Sequence, residues 1–256
     1  MGNKIMSAGT EELGVWTENV RVHSHDVDFN QRATLEAICH DFLEAAWEHA
    51  EVLGAGYRFL AAQQKFWVLS RLLVKVEQYP HWGDRAVLKT WPRPPKSIFA
   101  LRDFELLNSG GARMLGGSSA WLVLDATTRR PQRLDKVLGT IKTFPDRMAV
   151  GEDPAKLAAD GAGPVQLTTA VRYSDLDVNS HVNSARYIRW LLDSYGLDFH
   201  RSHSLRRLEI NYVSETRGGE TISIHSQETA PLHFSHALMK TDQTEVCRAR
   251  LEWSVI

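Results

Sequence analysis

Asp175-Leu-Asp-Val-Asn-Ser-His-Val-Asn183 runs without a break into Ser-Ala-Arg-Tyr-Ile-Arg-Trp-Leu-Leu-Asp193, and this stretch decides how the chain is organised. Its first part has a polar residue at every second position, and alternate residues of an extended backbone point to the same side. Its second part has apolar residues at spacings of three and four, which predict an amphipathic helix ending near Gly196. A polar face just before a helix suits a reaction site, although such residues are also common turn and cap residues. The five polar residues are Asp175, Asp177, Asn179, His181 and Asn183.

The same segment occurs a second time near the start of the chain. Asp26–Gln31 lies over Asp175–Ser180 with one constant offset, and it too is followed by an amphipathic pattern, which ends at Gly54. His181 falls on Arg32 in this first copy. A duplicated cap would give little reason for that difference, so we expect the polar face to be catalytic and only the second copy to keep the chemistry.

Strand-like runs follow both helices, so the chain is predicted to be a duplicated unit. We divide it into a tail (residues 1–14), a first unit (15–145), a linker rich in Asp, Pro, Ala and Gly (146–164) and a second unit (165–256). One helix and about five antiparallel strands, used twice, predict an α+β tandem hotdog, in which each curved sheet wraps a helix. Joining the two sheets edge to edge within the chain would remove one exposed edge from each.

The composition excludes several classes of protein. Of 256 residues, 43% are hydrophobic, which is enough for a sizeable core, and the net charge of −1 implies no general attraction to nucleic acid. Two cysteines, Cys39 and Cys247, argue against a disulfide framework. No run approaches the roughly 20 apolar residues of a membrane span. The N-terminus has neither a signal core nor the character of a transit peptide, so we expect a cytoplasmic protein with no membrane partner.

Several motifs together resemble the fatty acyl-ACP thioesterases of plants and bacteria, which are double-hotdog enzymes. The segment from Asp175 to Asn183 looks like that family's active-site run, and the resemblance covers most of residues 15 to 256. The resemblance implies hydrolysis of fatty acyl-ACP to free fatty acid and holo-ACP, which terminates fatty acid synthesis. It also implies acyl carrier protein (ACP) as partner. We expect no cofactor and a monomer or homodimer, and we expect no metal because no further ligands complete a cluster with His23 and His25. The other markers are Trp67-Val-Leu-Ser-Arg71, Tyr79-Pro-His-Trp-Gly-Asp84, Ser118-Ser-Ala-Trp121 and Thr128-Arg-Arg130.

The family's catalytic pattern is an Asp-x-Asn-x-His run and, after a Tyr two strands later, a Glu-Cys pair. Asp177, Asn179 and His181 match the run, while Glu215 matches the Glu and Thr216 replaces the Cys. The replacement disfavours a cysteine nucleophile and makes Glu215 the candidate base for an attacking water, with His181 positioning that water or sharing its proton. Asn179 would orient the water or the carbonyl, and Asp177 would hold the other two in place. Backbone N–H groups of residues 181 to 183 are predicted to form the oxyanion hole.

We also predict contacts for the acyl chain and for ACP. The apolar face of the first helix would line the acyl tail through Leu35, Ile38, Cys39, Phe42 and Ala46, unless these residues only pack under the sheet. Asn183 and Thr216 would contact the substrate near the thioester. ACP is strongly acidic, so two basic groups are docking candidates: Arg129, Arg130, Arg133 and Lys136, and Arg206 with Arg207. The alternatives are an acyl-CoA thioesterase of the same superfamily or a non-catalytic acyl-binding protein.

Overall fold

A single ten-stranded antiparallel sheet and four α-helices make up the computed structural model, which describes residues 14–136, 141–159 and 163–256. The predicted tail therefore lies outside the described residues except for Gly14. The strands are β1 (Trp16–Arg21), β2 (Lys65–Val76), β3 (Arg85–Lys96), β4 (Phe99–Asn108), β5 (Arg113–Asp125), β6 (Val165–Ala170), β7 (His203–Tyr212), β8 (Thr221–Ala230), β9 (His233–Lys240) and β10 (Glu245–Val255). The helices are α1 (Leu35–Val52), α2 (Tyr57–Ala61), α3 (Ser184–Asp193) and α4 (Leu197–Ser202).

The strand order shows two half-sheets joined edge to edge. It reads β1-β3-β4-β5-β2-β7-β10-β9-β8-β6, so each half has the same internal order. The seam is the antiparallel pair β2–β7, in register from Arg71 opposite Asn211 to Lys75 opposite Arg207. The predicted tandem hotdog with joined sheets is confirmed. The seam lets β2 and β7 pair with each other instead of leaving two exposed edges.

Each half-sheet packs its concave face on its own helix. Thr34 caps α1, since its Oγ1 accepts the Ala37 N–H at 3.2 Å, and Gly54 follows with the positive φ that suits glycine after a helix. Phe42 on α1 stacks on Phe104 of β4 with ring centroids 4.9 Å apart. The cores of the two units merge into one buried cluster. No helix in these described ranges has the length and hydropathy needed to cross a bilayer.

Residues 141–159, which contain most of the predicted linker, form a strap without helix or strand on the sheet face opposite the helices. Phe144, Ala149 and Val150 bury their side chains there, against Leu73 and Trp91. The strap also binds both halves through polar groups. Glu152 pairs with Lys75 on β2 and with Arg207 on β7, and the N–H of Leu157 donates to Asn211 Oδ1 at 2.9 Å. The segment is therefore fixed to the sheet rather than a free connection.

Candidate active site

The polar segment before α3 is a tight turn, so the predicted extended face is wrong. Leu176 and Val182 face each other in an antiparallel bridge, and the Asp177 N–H donates to the His181 carbonyl at 2.7 Å. Ser180 reverses the chain between them in the left-handed conformation, with φ of 61°. An extended strand would have satisfied none of these local hydrogen bonds. The alternation of polar residues reflects turn chemistry rather than a strand.

Three of the five polar side chains stabilise the turn and the helix. Asp175 Oδ2 accepts the Arg172 N–H at 2.8 Å, and Asn183 Oδ1 caps α3 by accepting the Ala185 N–H at 2.9 Å. Asp177 Oδ1 accepts two backbone N–H groups, that of Asn179 at 2.8 Å and that of His181 at 3.2 Å. Asp177 thus holds Asn179 and His181 through their backbone N–H groups, and its part in the reaction stays a prediction. The predicted substrate contact of Asn183 stays a prediction, because its oxygen is already used in the cap.

The predicted oxyanion hole is also wrong, because the three N–H groups proposed for it already have acceptors. The bonds run from His181 N to Asp177 Oδ1 at 3.2 Å, from Val182 N to Thr216 O at 2.9 Å and from Asn183 N to Asp175 O at 2.9 Å. A developing oxyanion would have to displace a protein acceptor from each. The side chain of Asn179 is exposed, and its predicted role toward the water or the carbonyl stays a prediction.

The structure brings His181 and Glu215 together although 34 positions separate them in the chain. His181 Nε2 lies 3.3 Å from Glu215 Oε2, and the two side chains are 22% and 42% exposed. Both groups can therefore meet each other and a solvent molecule. Thr216, the next residue, is 1% exposed, and its carbonyl anchors the turn through Val182. A side chain so deeply buried is poorly placed to attack a substrate, and its predicted substrate contact stays a prediction.

A third residue of the site was not predicted for it. Arg129, which follows β5 in the first half, donates from Nη1 to Glu215 Oε1 at 3.1 Å. Its guanidinium lies over the Phe66 ring, 5.1 Å from the centroid. Arg217 Nη2 is farther away, 3.9 Å from Glu215 Oε2. Arg129 and Glu215 are 86 positions apart, so no local sequence pattern predicts their contact, and the sequence predicts only a docking role for Arg129.

The first unit repeats the backbone of the turn in detail. Asp28 Oδ1 accepts the N–H groups of Asn30 at 2.8 Å and of Arg32 at 3.0 Å, and Gln31 has φ of 60°. The Ala33 N–H donates to the Pro80 carbonyl at 2.8 Å, as Val182 does to Thr216. The duplication inferred from the sequence therefore extends to hydrogen bonds.

The side chains at the two reactive positions differ in the first unit. Arg32 occupies the place of His181, as the repeat predicted, and Tyr79 occupies the place of Glu215, because Pro80 and Thr216 provide equivalent carbonyls. The Arg32 guanidinium lies 6.0 Å from the Tyr79 ring centroid, and Tyr79 Oη donates to the Leu205 carbonyl at 3.2 Å. Neither side chain can act as a base at neutral pH, since burial raises the pKa of Tyr79 and arginine stays protonated.

Two family models match most of this chain. The model described as acyl-ACP thioesterase N-terminal domain matches residues 14–139, and the one described as acyl-ACP thioesterase C-terminal domain matches residues 162–255. The chain belongs to the acyl-ACP thioesterase family. The resemblance seen in the sequence is thereby confirmed, and the division between the two models falls in the strap.

Members of the acyl-ACP thioesterase family are similar to this chain in sequence and in structure. The crystal structure of an acyl-ACP thioesterase from Bacteroides thetaiotaomicron superposes with a TM-score of 0.88 at 28% identity, covering 94% of this chain and 98% of that one. Dodecanoyl-[acyl-carrier-protein] hydrolase of Umbellularia californica is 30% identical over 93% of this chain and 67% of its own length. Palmitoyl-acyl carrier protein thioesterase of Gossypium hirsutum is 29% identical over 93% of this chain. The chain spans only 63% of the length of that cotton relative.

The two basic groups predicted to dock ACP lie at opposite ends of the seam. Arg129 lies at the end of the seam next to Glu215. Arg207 lies on β7, five residues before the end of that strand, which is about 17 Å of strand length at the usual rise per residue. Arg207 is bonded to Glu152 and Glu209, and Arg206 to the Ser254 hydroxyl. Of the remaining members, Arg130 is exposed and Arg133 pairs with Asp135. The side chain of Lys136 lies outside the part of the chain that the structure describes. Docking stays a prediction for all of them.

The predicted tail-lining residues on α1 are all buried in the core. Leu35, Ile38, Phe42 and Ala46 are each at most 5% exposed. Ile38 borders a small cavity of about 20 Å³. Burial alone fits both a pocket wall and simple packing under the sheet, so their role stays a prediction.

We expect the active site to be insensitive to thiol-alkylating reagents, because Thr216 stands where the family has Cys. Cys39 and Cys247 are fully buried, and burial raises the pKa of both thiols, so little reactive thiolate is present. Iodoacetamide should leave turnover nearly unchanged over an hour, with slow labelling of these two residues by mass spectrometry. Rapid inactivation that substrate prevents would contradict the water mechanism.

Proposed function

We propose that the protein hydrolyses fatty acyl-ACP to free fatty acid and holo-ACP, the step that ends chain elongation. The observation that carries the proposal is the half-exposed His181–Glu215 pair at 3.3 Å, held by a turn of Asp177 and approached by Arg129. The family membership supports a thioester substrate. The first unit, with Arg32 and Tyr79 at the equivalent positions, would then serve binding rather than catalysis.

The chemistry needs an activated water and a donor for the oxygen of the thioester carbonyl. Glu215 accepts a proton from the water as the water oxygen attacks the carbonyl carbon, and His181 orients that water through its imidazole. The Asn179 amide donates to the carbonyl oxygen as it gains charge. When the tetrahedral intermediate collapses, the C–S bond breaks and the leaving thiolate takes the proton that Glu215 accepted from the water. The products are the fatty acid and the free thiol.

A direct assay separates this proposal from its alternatives. Purified protein is incubated with acyl-ACP and acyl-CoA of several chain lengths, and released thiol is measured with a chromogenic disulfide. We expect turnover on acyl-ACP at lower substrate concentration than on acyl-CoA. A preference for acyl-CoA would favour the related CoA thioesterase, and binding of both without thiol release would favour a non-catalytic acyl-binding protein.

Added salt should lower activity on acyl-ACP more than activity on acyl-CoA if ACP docks on the basic group of Arg129, Arg130, Arg133 and Lys136. Raising ionic strength from about 50 to 500 mM shortens the Debye length several-fold and weakens steering of an acidic partner. kcat/KM on acyl-ACP should therefore fall more than kcat/KM on acyl-CoA. Arg130→Gln should reproduce part of that loss, whereas Arg206→Gln at the far end should not. Equal salt dependence for both substrates would remove the argument for a docking surface.

The acyl tail is proposed to lie against α1, and a larger side chain there should shorten the accepted chain. Each buried CH₂ contributes about 0.8 kcal/mol, so blocking two carbons should shift chain preference roughly tenfold. We expect Ala46→Trp to move the profile toward shorter acyl chains while turnover on those chains is retained. Glu44→Trp, on the exposed side of the same helix, is the control. A proportional loss on all chain lengths would mean that α1 is only structural.

A further inference from the structure

We infer that Arg129 is a positioning residue of the reaction, which the first unit contributes to the active site of the second. The inference rests on the proposed function and concerns the same site. The sequence predicts a docking role for Arg129, but its guanidinium is directed at Glu215 Oε1, 3.1 Å away. It acts on the substrate only through Glu215.

The loop that carries Arg129 is built to hold one conformation. Asp125 Oδ1 accepts the N–H groups of Thr127 at 3.0 Å and Thr128 at 2.8 Å, and the Arg129 N–H donates to the Asp125 carbonyl at 2.9 Å. Arg129 itself has φ of 56°, a left-handed conformation that glycine or asparagine would adopt at lower cost. A charged residue kept in a strained position points to a function for its side chain.

Arg129 and His181 hold the two oxygens of the same carboxylate. Arg129 donates to Oε1 at 3.1 Å, while His181 Nε2 lies 3.3 Å from Oε2, so Arg129 orients the carboxylate and His181 limits the space at its other oxygen. The guanidinium also packs on the Phe66 ring, with Arg129 Cζ 5.1 Å from the ring centroid. A base held in this way presents its free lone pairs in one direction, and a displacement of about 1 Å at a reacting group can cost roughly 10²-fold in rate.

The same contact contributes little to folding. The Arg129 and Glu215 side chains are 50% and 42% exposed, and ion pairs in such surroundings contribute little to stability. Loss of the Arg129 side chain should therefore change the thermal unfolding temperature by no more than a few degrees. An effect on turnover would then report the geometry of the base and not the stability of the protein.

The test compares four variants on two substrates, an acyl-ACP and the matching acyl-N-acetylcysteamine thioester, which has no protein part. Arg129→Gln removes the hydrogen bond, and Arg129→Lys keeps the charge without the planar fork. Arg130→Gln is the control for docking. Arg217→Gln is the control for charge alone, because it removes a cation 3.9 Å from Glu215. Thermal unfolding checks that each variant is folded.

We expect Arg129→Gln to lower kcat roughly 10- to 100-fold on both substrates, with KM for the small thioester nearly unchanged. Arg129→Lys should recover only part of the activity, Arg130→Gln should affect acyl-ACP alone, and Arg217→Gln should lose less than threefold on either. If Arg129→Gln fails to fold, a loss of about tenfold for Arg129→Lys on the small thioester supports the inference, and full activity of that variant overturns it.

Two other results would overturn the inference while leaving the proposed function intact. Arg129→Gln could lose activity only on acyl-ACP, as the docking control does, or it could match Arg217→Gln on both substrates. Absence of thiol release by the unmodified protein from either substrate would instead contradict the proposed function.

Discussion

Replacing His181 by Ala should lower turnover on a fatty acyl thioester by roughly 10²–10⁴-fold, the range that a positioned acid or base supplies. The imidazole is the partner of Glu215 at 3.3 Å, and it is exposed enough to meet a water molecule. Glu215→Gln should have an effect of the same size, because an amide cannot take the proton. Both variants should unfold at nearly the temperature of the unmodified protein, since neither side chain is buried.

The duplicated turn provides the matched control for this experiment. Arg32→Ala changes the equivalent position of the first unit, on the same backbone with the same hydrogen bonds. It should leave kcat within about threefold. The roles given to His181 and Glu215 would be untenable if a folded His181→Ala variant kept near-normal activity, or if Arg32→Ala were equally damaging.

Replacing Glu36 by Gln should lower the free energy of unfolding by about 2–3 kcal/mol, the second large effect that we expect. Glu36 lies in the first turn of α1, its side chain is only 7% exposed, and it joins the two units. Its Oε1 accepts from Arg186 Nη1 at 2.6 Å, and its Oε2 accepts from Arg189 Nε. An amide carries no charge, so Arg186, whose side chain is only 20% exposed, would lose its counter-ion.

The pH dependence of this effect has a defined sign. Burial by itself would raise the pKa of Glu36, but His40, whose Nε2 lies 3.8 Å from Oε1, the hydrogen bond from Arg189 and the charge of Arg186 bring it below its ordinary value of 4.5. The contribution is therefore complete above about pH 4.5 and is lost as the pH falls through the lowered pKa. Urea unfolding of wild type and Glu36→Gln should differ fully at pH 7 and progressively less below pH 4.5.

The exposed Glu44 of the same helix offers the comparison for Glu36. Glu44→Gln carries the same chemical change without the contacts to α3, and it should stay within about 0.5 kcal/mol of wild type. A similar loss in both variants would mean that the helix itself, and not the junction of the units, is being measured.

The sequence could predict the fold because two patterns occur twice in it. These are a polar segment that runs into an amphipathic helix, and the strand-like runs that follow each helix. The helices after Asp26–Gln31 and after Asp175–Ser180 keep their apolar spacing, and two copies of one helix and five strands leave few ways to bury both helical faces. The asymmetry between His181 and Arg32, together with the family motif, predicted His181 and Glu215 as candidate reacting residues, and the structure places the two side chains 3.3 Å apart. The structure then showed that Tyr79 stands in the first unit where Glu215 stands in the second. The sequence did not reveal this because the number of residues between the polar segment and the following strand differs between the two units.

The geometry within the site could not be predicted from spacing. Alternating polar residues fit an extended strand and an Asx turn equally well, and only the carboxylate of Asp177 and the left-handed Ser180 decide between them. The same turn uses the N–H groups expected to form the oxyanion hole. Arg129 reaches Glu215 across the boundary between the units, and contacts between distant segments depend on packing that no local pattern encodes.

The strap has a consequence for any attempt to divide the protein into two chains. At the seam, Lys75 stands directly opposite Arg207, and like charges facing each other across a strand pair repel. Glu152 of the strap binds both of them, and these contacts lower its pKa to about 2, so it stays ionised in all but strong acid. Two halves trimmed to their hotdog folds alone would meet at this end of the seam without the carboxylate that bridges the two cations. Arg207 would still pair with Glu209 and Glu252, but Lys75 would lose Glu152, so we expect fragments that keep the strap to reassociate more tightly.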